Sequence, residues 1–176
     1  MLRFRILILV STLIFLPLPV VGGTPDIELE RLEGGTQSLT RYIGKGKWVV
    51  VNVWSPTCNA CVIELPSLLD FRNKYRDEIT VLGITIDFPS FGYGKRDVIN
   101  TFLKKYPLDY PLFLADMNSA SMAIGNRLVG IPLIAIFHPD GRVLARWPGT
   151  INVEELEEFI NNYKDYVIED GITEDF

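Results

Sequence analysis

Histidine and cysteine are nearly absent from this sequence: one histidine, His138, and two cysteines, Cys58 and Cys61, occur in 176 residues. A structural zinc site needs four ligands, usually from two paired modules, so that scaffold is excluded. A disulfide framework is excluded as well. The two cysteines close a loop of about four residues, for which chain entropy gives roughly 2 kcal/mol, against about 4.7 for a loop of a hundred. Positive charge is also short, with 17 Lys and Arg against 22 Asp and Glu and a net charge of −5. Arg3 and Arg5 precede the first apolar run, so the remainder is more acidic still. No basic stripe is left for a phosphate backbone, which argues against nucleic acid as the main partner. Internal repeats and low-complexity linkers are lacking too.

What is present suits one domain with an N-terminal appendage. The composition is 48% hydrophobic and 22% charged, near the globular average. A chain of this length buries about 70% of its unfolded surface and needs no disulfide to fold. The opening "MLRFRILILVSTLIFLPLPVVGG" has the layout of an export signal: two arginines, an apolar run from Ile6 to Val21, then glycines. That run would span about 24 Å as a helix, against a hydrocarbon core of about 30 Å. Residues 1–23 are therefore expected to be either a signal peptide or an N-terminal membrane anchor, and the protein is expected outside the cytoplasm. No cysteine follows the run to carry a lipid. Residues 24–165 read as one α/β domain, and 166–176 as a loose acidic tail.

Within the domain, "DIELERLEGGTQSL" alternates apolar and charged residues and turns at Gly34-Gly35, which predicts a hairpin. "WVVVNVW", Trp48 to Trp54, is a β-branched run of the kind buried on both faces. A helix is predicted from Asn59 to Tyr75, a second buried strand from Ile79 to Ile86, and a short helix from Asp97 to Lys105. A short extended piece over Pro111 to Leu114 and a helical turn over Ser119 to Ile124 follow. "LIAIF", "PDG" and "RVLARW" form a strand-turn-strand signal, with His138 at a strand end where it reads as structural. The last helix starts at Asn152 and ends near Lys164, with Glu155 placed for a capping box.

The two cysteines stand between the first buried strand and its helix. Cys58 at a helix N-terminus meets unpaired N–H groups and the positive end of the dipole, which favour thiolate over thiol. Cys58 is the expected nucleophile. Cys61, one turn on, is placed to attack a mixed disulfide at Cys58 and release the partner. Glu64 follows at the same spacing. It is either a proton acceptor for the resolving thiol or a first-turn acid that complements the dipole.

Several separate points of match give the region from Ile27 to about Tyr163 a family resemblance. Asn52 stands six residues before Cys58, Trp54 holds an aromatic position, and Cys58-Asn59-Ala60-Cys61 continues as C-x-x-E-x-P through Glu64 and Pro66. "VGIP", Val129 to Pro132, precedes a predicted strand, and "PDG" joins the last two strands. In these features the sequence resembles the thioredoxin-like proteins of the TlpA/ResA type, extracytoplasmic thiol-disulfide oxidoreductases. The resemblance implies a thioredoxin-like α/β fold: a central mixed sheet flanked by helices, with an N-terminal β-hairpin extension. It implies a redox-active Cys58–Cys61 disulfide tuned by Glu64, and a cis-Pro132 loop in which Ile131, Pro132 and Trp54 bind substrate. No cofactor and no metal are implied. The partners implied are exported thiol or disulfide proteins, apo-cytochrome c among them, and a membrane thiol-electron donor.

Thr57, in place of the family's usual Trp, and the Asn59-Ala60 pair depart from the pattern at positions that set potential and partner contact. Alternatives stay open: a thiol- or metal-holding module without turnover, or a disulfide-forming oxidase. A copper carrier of this fold resembles C-x-x-x-C, one residue longer. A peroxidase of the peroxiredoxin type resembles P-x-x-x-T-x-x-C, and Ser55 and Val51 stand at its anchors. The aromatic stretch "FPSFGYGKR", Phe88 to Arg96, is either a partner-binding lip or a packed surface loop.

Overall fold

Strand β3, Trp48–Trp54, is buried at every residue and forms the middle of the sheet. The computed structural model describes residues 26–169, with side chains described to residue 164; the expected leader, 1–23, and residues 170–176 lie outside the described residues. The hairpin β1 (Glu28–Arg31) and β2 (Thr36–Ser38) opens the domain, and a turn of 3-10 helix covers Leu39–Arg41. After β3 come α1 (Asn59–Lys74), β4 (Ile79–Thr85), α2 (Arg96–Leu103), β5 (Leu112–Leu114) and α3 (Met117–Ala123). The chain closes with β6 (Leu133–Phe137), β7 (Val143–Pro148) and α4 (Val153–Glu169). The seven strands form one sheet in the order β2-β1-β5-β4-β3-β6-β7. β3 pairs with β4 in parallel and with β6 antiparallel, and β4 pairs with β5 in parallel. This is the mixed sheet with a hairpin extension that the resemblance implied.

Side-chain alternation along β3 divides the core in two. Trp48, Val50 and Trp54 face α1, α2 and α4, where Leu65, Leu68, Phe71, Ile99, Leu156 and Ile160 cover them. Val49, Val51 and Val53 face the other side, closed by Leu39, Ile43 and the alanines of α3. Each of the large side chains so buried is worth about 1.5–3 kcal/mol relative to exposure. Helix α1 runs unbroken through Pro66. Asn152 caps α4 by accepting the Glu154 N–H at 3.0 Å.

One expectation changes: helix α4 continues to Glu169, past the Lys164 where the sequence pattern fades. Of the two alternatives for the 88–96 segment, the structure has the packed surface loop. Phe91, in the left-handed region at φ 56°, packs edge-on against Phe88 and against the apolar core. Tyr93 pairs with Ile86 and donates its hydroxyl to Glu30 at 2.7 Å. His138 is buried at the far end of β6, its ring against Trp48 and Tyr163 and its Nδ1 3.0 Å from Asp140.

Candidate active site

The parallel strands β3 and β4 end at one edge of the sheet, and antiparallel β6 begins there, with Val53 opposite Leu133. That topology brings Cys58, four residues beyond β3, beside the loop ahead of β6. The Cys58 N–H bonds the Ser55 carbonyl at 3.1 Å, closing a tight turn through Pro56 and Thr57. Cys58 then caps α1, its Sγ accepting the Cys61 N–H at 3.2 Å. In the reduced protein the same N–H would face the sulfur's negative charge. Cys58 and Cys61 form a disulfide with Cα atoms 5.3 Å apart. Cys58 is buried to 4% exposure and Cys61 is wholly enclosed, so a partner meets Cys58 first.

The peptide bond between Ile131 and Pro132 is cis, and the Ile131 carbonyl oxygen lies 3.9 Å from Cys58 Sγ. Sequence and structure thus bring together Cys58, Cys61, Ile131 and Pro132. Two exposed apolar side chains, Ile63 on α1 and Val129 in the cis-proline loop, stand on the segments that carry the two halves of the site. The sequence offered only a faint signal for them, an isoleucine off the buried stripe of a helix and a valine before glycine.

Trp54 is a correction. Expected at the substrate-binding surface, it is completely buried and packs its ring against Phe102. The reason is alternation: Trp54 falls on the helix-covered side of β3, with Trp48 and Val50.

Glu64 is buried beneath the disulfide's helix, and its Oε2 accepts the Ile151 N–H at 3.3 Å. Burial pushes its carboxyl up to about 7, with the Ile151 hydrogen bond pulling only partly back. A carboxyl held there exchanges its proton near neutral pH. Thr57, the family departure, donates its hydroxyl to the Phe88 carbonyl at 2.7 Å and so ties the active-site turn to the 88–96 loop. A second cis peptide, Phe88-Pro89, lies in that loop, and nothing in the sequence pattern had marked it. Tyr110, also missed, is buried in the same core cluster as the cysteines. Among the described residues no group of three or more His, Cys, Asp or Glu is placed to hold a metal.

Residues 22–146 match the AhpC/TSA family. Thiol-disulfide oxidoreductase ResA of Geobacillus thermodenitrificans is 27% identical over 147 residues, covering 82% of this chain and 78% of that protein. Thioredoxin-like protein YneN of Bacillus subtilis is 25% identical over 134 residues, covering 76% and 74%. Among solved structures, a DsbF homologue from Corynebacterium diphtheriae superposes with a TM-score of 0.67 at 23% identity, covering 80% of this chain and 85% of that one. The fold is therefore thioredoxin-like.

Proposed function

Since the chain belongs to the AhpC/TSA family and its helix-capping Cys58 is paired with a buried Cys61, we propose that it is a thiol-disulfide oxidoreductase working by dithiol-disulfide exchange, and that it reduces client proteins outside the cytoplasm. The observation that carries this reading is the Cys58 sulfur against the Ile131 carbonyl. An extended client segment can lie along that backbone with its own sulfur in line.

In the reductive direction the Cys58 thiolate attacks one sulfur of a client disulfide. The client's other sulfur leaves as thiolate, and a Cys58–client mixed disulfide forms. Glu64 then takes the proton of Cys61, and the Cys61 sulfur attacks Cys58 Sγ. The bond to the client breaks, the client departs with the electron pair, and Cys58–Cys61 is left oxidised. Two electrons pass to the client. A membrane thiol donor returns the protein to the dithiol by the same steps reversed. The leader-like residues 1–23 support an exported or anchored protein, and the C-x-x-E-x-P pattern supports the reductive direction. Apo-cytochrome c is one candidate client.

The C61S variant, expressed in the protein's own cell, tests the reading. It is expected to accumulate client proteins joined to Cys58 through bonds that dithiothreitol releases, and C58S to accumulate none. Equal absence of adducts from both variants would overturn the exchange function, and the captured clients identify the substrate class.

A further inference from the structure

Among the described residues six buried side-chain atoms have no hydrogen-bond partner: both amide atoms of Asn52, Trp54 Nε1, Glu64 Oε1, Thr85 Oγ1 and Tyr110 OH. They are not scattered. The register sets Asn52 beside Gly83 and Trp54 beside Thr85, and Gly83 and Thr85 beside Leu112 and Leu114. All of these positions face α1, near the strand ends that lead to the disulfide. Tyr110 enters the same cluster from just ahead of β5, and Glu64 comes down from α1. A Cβ on Gly83 would stand 3.1 Å from Tyr110 Cε2 and 3.2 Å from Trp54 Nε1, so the absent side chain lets phenol and indole converge. Buried polar groups are almost always paired. Six on an otherwise apolar face are more than one water can serve, and a few bound waters, each making about two to four hydrogen bonds, fit them.

We propose that Tyr110 is a positioning residue for Glu64: its phenol O–H and the Trp54 indole N–H donate, through water bound in this patch, to the free carboxylate oxygen and hold it ready to accept the Cys61 proton. The inference rests on the exchange reading above. Glu64 Oε2 is already engaged by the Ile151 N–H, which leaves Oε1 for the patch. Burial first, and then the charges of Glu64 and Asp109, push the Tyr110 phenol above its ordinary range. It therefore stays protonated and able to donate. On the helix of Glu64 itself, Cys61 stands three residues before it and the capping Cys58 six. The segment ahead of α4 contributes the Ile151 amide, and the Asp109 carboxylate is held by Arg72 at 2.6 Å. Tyr110 also lines an open groove of about 360 Å³ with Leu108 and Asp109, which sets it between the patch and solvent. The proton taken from Cys61 can leave by that side as the Cys58–client bond breaks and the Cys58–Cys61 bond forms.

The reduced protein mixed with dithiobis-nitrobenzoate separates the two steps. Attack by Cys58 releases a first aryl thiolate, and attack by Cys61 on the mixed disulfide releases a second. Removing donors from a carboxylate makes it harder to ionise. Y110F is therefore expected to move the pH midpoint of the second phase up by about one unit, with the first phase as internal reference. E64Q should abolish that limb, and Y110F should add nothing in the E64Q background. A carboxyl NMR titration of Glu64 in reduced Y110F should show the same upward shift. The proposal is overturned if the second-phase profile of Y110F overlays the parent, if the titration does not move, or if Y110F slows E64Q as much as it slows the parent. Failure of the exchange reading looks different: the parent itself would not release the second aryl thiolate.

Discussion

In the proposed exchange the Glu64 carboxyl has to ionise inside the core, and the fold pays for that in stability. Its folded pKa is about 7 against an ordinary 4.5, so between those values the folded protein binds more protons than the unfolded one. Stability from this group is fully present below about pH 4.5 and is lost as pH rises through about 7, by an amount on the order of 3 kcal/mol. Denaturant unfolding of the oxidised protein is expected to show that decline in the parent, and the difference between parent and E64Q should isolate it. Other carboxylates, such as Asp116 with its depressed pKa, act in the opposite sense at lower pH and cancel in the comparison. The position of Glu64 was legible from its spacing to Cys61. Its burial was not, because the Ile151 amide and the strands beneath it come from distant parts of the chain.

Turns and helices of the site follow from local sequence pattern. The β3-to-α1 turn, the strand before "PDG" and the hairpin at Gly34-Gly35 are marked by residues that act on their own neighbours. Contacts between elements carry no such signal. The Thr57 hydroxyl reaches the Phe88 carbonyl across 31 positions, and it holds a loop whose Asp87 N–H bonds the Gly92 carbonyl at 2.9 Å. T57V keeps the side chain's shape and removes that tie, worth about 1 kcal/mol. Hydrogen exchange at the Asp87 amide is expected to quicken about fivefold in T57V if the loop opens by local unfolding, while β3 amides keep the parent rate. Uniform acceleration would instead indicate loss of global stability.

For the whole molecule, the direction of electron flow is a difference in stability between the disulfide and dithiol forms. Strong oxidants of this chemistry stabilise their reduced form. Here Cys61 is enclosed in the apolar cluster and stands three residues from a buried carboxyl, surroundings that disfavour a thiolate. Equilibration with glutathione is expected to give a potential near or below about −250 mV, and a value near −120 mV would reverse the proposed direction. The sequence by itself determined the reacting pair, its place between a buried strand and a helix, and the order of elements, because periodicity and turn chemistry act over a few residues. Only the tertiary structure decided that Trp54 belongs to the core and that the Ile131 carbonyl meets Cys58 across 73 positions. It alone leaves polar atoms of Asn52, Trp54, Glu64, Thr85 and Tyr110 buried without a protein partner. Burial, and the proton affinities that follow from it, depend on what the folded chain packs over a residue, and those neighbours come from separate strands and helices.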